Sequence, residues 1–314
     1  MGISSFKTGL MKRSFLAGNL YYFPKGTRGL FGGGYHSDFS NNINYIDIAT
    51  TGNATDFGDL TVARAQPGAC GSKIRGVWAG GYPGMDVIDY VTIASTGNAT
   101  DFGDLTGSRE RLCGTSSNIR GLFIGGWNGS SQSNIIDYIT IASTGNATDF
   151  GDLLGIRSEP SACASSTRAL IGGGHEIDNV IQYVTIASAG NATDFGDLTL
   201  ARTKIGACSS STRGLFGGGA NVDAATAVNV IDYVTIASTG NATDFGDLTV
   251  ARYYVAACST ETRGVWGGGN TGSYSNVIDY VTIASTGNAT DFGDLVVATT
   301  GISGTSNGHG GIAA

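Results

Sequence analysis

Thr51-Gly52-Asn53-Ala54-Thr55-Asp56-Phe57-Gly58-Asp59-Leu60 decides the architecture, because the chain keeps returning to it. The decapeptide starts again at Thr96, Thr144, Thr239 and Thr286, and at Ala189 with Ala for the first Thr, in steps of 45, 48, 45, 50 and 47 residues. A unit of about 45 residues cannot bury a core alone and must pack on its copies. A chain of 314 residues would otherwise suggest about two domains. The repeats make residues 20–314 one array.

The residues between decapeptides read as short strands. In the fifth unit Lys204 to Ser209, Gly214 to Gly219, Val230 to Ala237 and Phe245 to Ala251 are four strands separated by polar or glycine turns, rich in β-branched and aromatic residues. Within the third, Ile231, Tyr233, Thr235 and Ala237 face one way and Val230, Asp232, Val234 and Ile236 the other. Two mostly apolar faces suit a sheet sandwiched between two similar sheets, which is how a propeller blade is placed. Helical periodicity is absent, which excludes helical repeats of similar length.

Composition narrows the function classes. Glycine is abundant (51 residues) and proline scarce (4), which fits tight turns and close backbone approaches. A net charge of -7 argues against the basic surface that nucleic acid requires. No apolar run has the length of a transmembrane helix, so membrane insertion is not expected. Met1 to Asn19 carries Lys7, Lys12 and Arg13, but its apolar stretch is short and broken by Gly18 and Asn19. It reads as an N-terminal extension able to act as an anchor, not as a signal peptide. Cys70, Cys113, Cys163, Cys208 and Cys258 fall one to a repeat, an odd number at equivalent places, so small buried hydrophobes are expected rather than disulfides.

A strand ending in double glycine, a tyrosine further on (Tyr45, Tyr90, Tyr138, Tyr183, Tyr233, Tyr280) and an aromatic twelve residues later (Phe57, Phe102, Phe150, Phe195, Phe245, Phe292) resembles the kelch repeat, with Phe where kelch units usually carry Trp. The resemblance implies a β-propeller of four-stranded blades, here six. The wording TIASTGNATDFGDLT also resembles repeats in structural proteins of marine, especially cyanobacterial, bacteriophages. That implies a virion protein of the tail, baseplate or fibre, with other virion proteins as partners through the N-terminal extension or one propeller face, and a host cell-surface glycan or protein as a further partner. Gly301 to Ile312 aligns with KIGACSSSTRGL of unit five, so the C-terminal strand is expected to close the ring, with Tyr21 to Phe23 as its competitor for that slot.

Repeated chemistry reads as structure. The sequon Asn-Ala-Thr at Asn53, Asn98, Asn146, Asn191, Asn241 and Asn288 is expected to form a turn in which Asn and Asp bond their local backbone. Asp56 and Asp59 and their equivalents match calcium-loop spacing poorly, and two carboxylates repeated six times in one setting are not a catalytic pair. The double glycines lack the helix and the Lys-Ser/Thr of a phosphate loop, and are expected where blades converge on the axis. Arg28, Arg75, Arg120, Arg168, Arg213 and Arg263 are expected to form a ring of ion pairs with neighbouring carboxylates. His36, His175 and His309 share no ligand spacing, so no metal, cofactor or catalytic residue is expected.

The units differ in the loop between their second and third strands: YHSDFSNN, YPGMD, WNGSSQSN, HEIDN, ANVDAATAVN and NTGSYSN. These loops share a face with the links between blades. Aromatic and small polar residues on loops held by a rigid scaffold suit recognition, which makes Tyr35, His36, Tyr82, Trp127, His175, Tyr253, Tyr254 and Tyr274 the candidate contacts. The expected function is a non-enzymatic binding propeller; the alternatives are a purely structural scaffold module and a glycan-processing propeller enzyme.

Overall fold

A computed structural model describes residues 26–175, 179–221 and 226–312. It is a six-bladed β-propeller in which each blade is a four-stranded antiparallel sheet. Blade 5 serves as the type: an inner strand Gly206–Ser209, a second Arg213–Gly217, a third Val230–Thr235 and an outer Thr243–Asp247. The outer strand lies two residues earlier than the pattern implies and stops at Asp247. Lys204 lies outside the inner strand because its φ of 60° turns the chain. The inner strands, Gly68–Gly71, Cys113–Ser116, Ser161–Ala164, Gly206–Ser209 and Ala256–Ser259, surround the axis.

The sixth inner strand comes from the other end of the chain. Ser303–Ser306 pairs antiparallel with Arg28–Gly32, so blade 1 holds both early and late residues and the ring is shut by the C-terminal strand. Its competitor, Tyr21 to Phe23, and the anchor proposed for Met1 to Asn19 lie outside the described residues.

The decapeptide is a seam between blades. The Gly97 amide donates to the Phe57 carbonyl (2.8 Å) and the Ala99 amide to the Asp59 carbonyl (2.7 Å), while Asn98 Oδ1 accepts the Asp59 amide (3.1 Å). The same three bonds join every consecutive pair of blades, and Gly52, Asn53 and Ala54 close the circle on Phe292 and Asp294. The asparagine therefore bonds a neighbouring blade, not its own turn as the sequence suggested. Each copy covers the outer edge of the blade before it, which leaves little of that edge free to pair elsewhere. Gly58 lies beneath Gly97 with φ of 146°, and a Cβ there would come within 2.4 Å of the Gly97 carbonyl oxygen.

Between blades, side-chain volumes compensate. The last residue of each second strand or its equivalent meets a large residue of the next blade: Gly32 meets Trp78, Gly172 meets Phe216, Gly217 meets Trp266 and Gly267 meets Phe31. Where that residue is Ala79, Phe123 shares its cluster, and where it is Ile124 the partner shrinks to Ile171. The buried cores accordingly lie between blades, as in the cluster joining Leu170 and Phe195 of blade 4 to Phe216 and Ile236 of blade 5. All five cysteines are free and buried, and burial pushes the Cys113 and Cys163 thiols up to about 12.

Two arginine systems link the blades, and neither has the arrangement expected from sequence. Arg75, Arg120, Arg168, Arg213 and Arg263 have no carboxylate within ion-pair distance among the described residues. Each stacks on its own blade's tyrosine, at 4.2–4.6 Å from the ring centre for Arg75 on Tyr90 through Arg263 on Tyr280. Each also donates to a carbonyl of the next blade, as Arg213 Nη1 does to Ile283 (2.8 Å). A second set, which sequence reading missed, sits in the links: Arg64, Arg109, Arg202 and Arg252 are buried against Asp89, Asp137, Asp232 and Asp279 of the following blade. Burial lowers these guanidinium pKa values, and the opposed carboxylate raises them back. In blade 4 the neutral Gln182 takes the acid's place opposite Arg157, and at the ring junction both partners change together, to Thr299 and Asn44.

Asp232→Ala would strand the buried Arg202 cation and is expected to cost about 3–5 kcal/mol. Trp266→Ala would empty the space over Gly217 at a similar cost of about 3–5 kcal/mol. Urea denaturation followed by far-UV circular dichroism measures both.

Candidate functional site at the axial mouth and its aromatic rim

The links place the candidate site. Each buried link arginine offers its carbonyl to the second glycine of a double-glycine pair, as Arg109 does to the Gly81 amide (2.9 Å) and Arg252 to the Gly219 amide (2.9 Å). The double glycines thus lie where a loop passes tightly over a link, not at the axis as expected. Gly33 and Gly34 have φ of 74° and 107°, and a Cβ on Gly33 would stand 2.7 Å from the Arg64 carbonyl.

Two residues after each link arginine the backbone turns left-handed at the axial mouth. The residues there are Gln66, Arg111, Glu159, Lys204 and Tyr254, with φ between 54° and 60°, and Gly301, with φ of 62°. Backbone bonds run around this collar: Gln66 donates to Gly301 (2.6 Å), Glu159 to Arg111 (2.8 Å), Lys204 to Glu159 (3.3 Å) and Tyr254 to Lys204 (2.9 Å). Below the polar collar the next residue of each link, Pro67, Leu112, Pro160, Ile205, Val255 or Ile302, is buried and apolar. Together they line a funnel-shaped cavity of about 100 Å3.

Glu159 is the centre of the collar, with a side chain 6% exposed. Its carboxylate accepts hydrogen bonds from the Tyr254 hydroxyl and from Thr203 Oγ1 (3.0 Å). Arg111 Nη1 and Lys204 Nζ stand at 3.9 and 3.8 Å, within ion-pair distance and beyond hydrogen-bond length. Lys204 Nζ also lies 5.5 and 5.0 Å from the Tyr253 and Tyr254 ring centres. Burial and the adjacent Glu159 charge hold the Tyr254 phenol well above its ordinary pKa, so it stays protonated and donating.

The channel narrows away from this mouth and is stopped at its far end. Ser116, Ser209, Ser259 and Ser306 each donate from Oγ to a carbonyl of the preceding inner strand at 2.6–2.8 Å. The tail after Ser306 then crosses the axis: the Gly310 amide donates to Ser209, and the half-buried His309 places Nε2 3.3 Å from the Gly71 carbonyl.

Around the mouth seven of the eight residues singled out from sequence form three groups, and His36 stands apart. Tyr274, Tyr35 and Tyr82 belong to an arc over blades 6, 1 and 2 through ring contacts of 5.9 Å (Tyr274 to Tyr35), 5.4 Å (Tyr35 to Phe39) and 5.3 Å (Phe39 to Tyr82). Tyr82 and Tyr274 are 42% and 41% exposed. Trp127 bridges to Gln132, whose amide meets His175 Nδ1 at 3.2 Å, and Tyr253 stacks on Tyr254 at 5.6 Å. His36 turns aside to Ser37. Sequence reading missed Phe39, the ring that completes the arc, and four collar side chains, Gln66, Arg111, Glu159 and Lys204. Their signal was available in the aligned links ARAQP, SRERL, IRSEP, ARTKI and ARYYV, where two positions vary between a constant Arg and an apolar residue.

No protein-family model matches the chain and no curated protein matches it either, so the likeness to kelch and phage repeats rests on the repeat residues alone.

The tail plug generates a pH dependence. Burial depresses the His309 pKa from its ordinary value to about 4, so below pH ~6.5 the unfolded chain binds a proton that the native state refuses. Stability is therefore expected to fall as pH drops from about 6.5 towards 4. His309→Asn should remove that part of the slope, as thermal melts at pH 7 and pH 4.5 would report.

Proposed function

We propose that this chain is a non-enzymatic binding propeller, a virion structural protein of a phage tail, baseplate or fibre, whose mouth face contacts a host surface or another virion protein. The observation that carries the binding part is the inequality of the two kinds of repeat residue. The decapeptides use their polar groups on one another, six times alike, whereas on the mouth face each blade has its own loop, and there the Tyr274, Tyr35, Phe39 and Tyr82 rings stand clustered and partly exposed. Exposed aromatic rings grouped on a rigid frame lose little conformational entropy on binding and bury much area. The virion part is supported by the wording TIASTGNATDFGDLT. The scaffold reading is favoured by one feature, the identical perimeter, and the two separate by experiment.

The double variant Tyr82→Ala, Tyr274→Ala is expected to lower attachment to host cells or to the partner virion protein about tenfold or more, while thermal stability changes little because both rings are exposed. Attachment at wild-type strength, measured by cell pull-down or surface plasmon resonance with the purified chain, would favour the scaffold.

A further inference from the structure

Left-handed backbone is expensive for any residue with a Cβ, and this chain otherwise assigns it to glycine. Among the described residues every positive-φ position is glycine except five: Gln66, Arg111, Glu159, Lys204 and Tyr254. These five occupy one equivalent position in the links, and the sixth link shows that glycine fits there, as Gly301. Large polar side chains are thus kept at the axial mouth against a backbone cost that a glycine would avoid. Such strain, concentrated in one ring and surrounding one cavity, marks side chains retained for what they contact.

Their chemistry narrows the ligand. Arg111 and Lys204 flank Glu159 without a hydrogen bond to it, so their N–H groups remain available towards the funnel. Glu110 lies 3.4 Å from Arg111 Nε, so two cations are set against two carboxylates and the mouth is locally balanced in charge. A free anion gains no net attraction there. A neutral ligand carrying adjacent donors and acceptors does find partners, in the N–H groups of Arg111 and Lys204 and in the remaining lone pairs of Glu159. The half-buried Tyr254 ring lines the cavity beside them, and the buried collar of Pro160, Ile205 and Val255 floors the funnel. The cavity holds about 100 Å3 and is open to solvent at the collar, so it takes part of a small ring rather than a protein loop.

We infer that the axial mouth is a saccharide subsite, in which a neutral hexose or N-acetylhexosamine unit hydrogen-bonds between Glu159 and the Arg111 and Lys204 side chains with its apolar face towards Tyr254. This deepens the recognition reading and rests on it: the rim rings hold the larger partner, and the funnel takes one terminal sugar.

The test uses the full chain and free sugars. Saturation-transfer NMR and calorimetric titration against neutral hexoses and N-acetylhexosamines, with a uronate and inorganic phosphate as anionic comparisons, are expected to show at least one neutral sugar binding with Kd of about 0.1–10 mM. Arg111→Gly and Lys204→Gly are each expected to weaken it about tenfold or more while the melting temperature stays the same or rises, because glycine relaxes the left-handed turn. No neutral sugar bound at roughly 50 mM, tighter binding of uronate or phosphate than of every neutral sugar, or glycine variants binding as well as wild type would each overturn the subsite. The variant Tyr82→Ala, Tyr274→Ala keeps the funnel intact. Lost attachment in that variant, with no sugar bound by the wild type, would remove the subsite and leave the recognition reading standing.

Discussion

The ring depends on a self-complementary segment. Every decapeptide donates two amides to the blade before it and accepts an amide from that blade on its asparagine oxygen, and it meets the same set from the blade after it. A change in one copy must therefore suit two neighbours at once, which explains why loops drift while TGNATDFGDL hardly does. It also explains the one tolerated exception: the first Thr, replaced by Ala189, makes none of these three bonds. Since the segment closes onto itself between Asn53 and Asp294, the perimeter is continuous even though the chain is not.

The inner parts of the blade solve the same problem by compensation rather than identity. A glycine facing Trp266, an alanine sharing a core with Phe123 and an isoleucine opposite Ile171 fill one inter-blade gap with different pairs, as close packing requires when neither partner is free to leave a void. The link arginines follow this logic with charge. Arg and Asp occur together in four links, and at the junction of blade 6 with blade 1 both are absent, replaced by Thr299 and Asn44. A lone buried charge costs more than the pair contributes, and at this junction both are lost together; in blade 4 the buried Arg157 is kept, facing Gln182 in place of the Asp and donating from Nη1 to the Gly173 carbonyl (2.9 Å). That junction is also where the ring is closed by a strand from the far end of the chain rather than by the next residues in sequence.

Period and strand alternation made the blade and the blade number legible, and the likeness of Gly301–Ile312 to the opening strand of unit five did so for the C-terminal closure. The partners of individual polar groups were not legible. Asn98 looks like a turn residue in isolation, since nothing local says that its oxygen is aimed at Asp59 in another blade. Asp232 looked like an exception on an apolar face until Arg202, thirty residues earlier, was found beneath it. For the mouth the obstacle was different. Aromatic side chains stand out within a single loop, which marks Tyr253, Tyr254 and most of the rim arc, whereas the position of Glu159 or Lys204 shows only when the five links are aligned.

Constancy and variation are two outcomes of one construction. A blade whose edges are satisfied by its neighbours has spent its perimeter polar groups on assembly, so differences between blades can accumulate only where the links and loops emerge. The buried link arginines make those differences usable. By anchoring the backbone two residues ahead of the mouth they hold Arg111, Lys204 and Tyr254 in a conformation each would avoid in a free loop. Six equivalent turns thus present Gln, Arg, Glu, Lys, Tyr and Gly to a single axis, and a repeated fold acquires one asymmetric site without breaking the repeat that supports it.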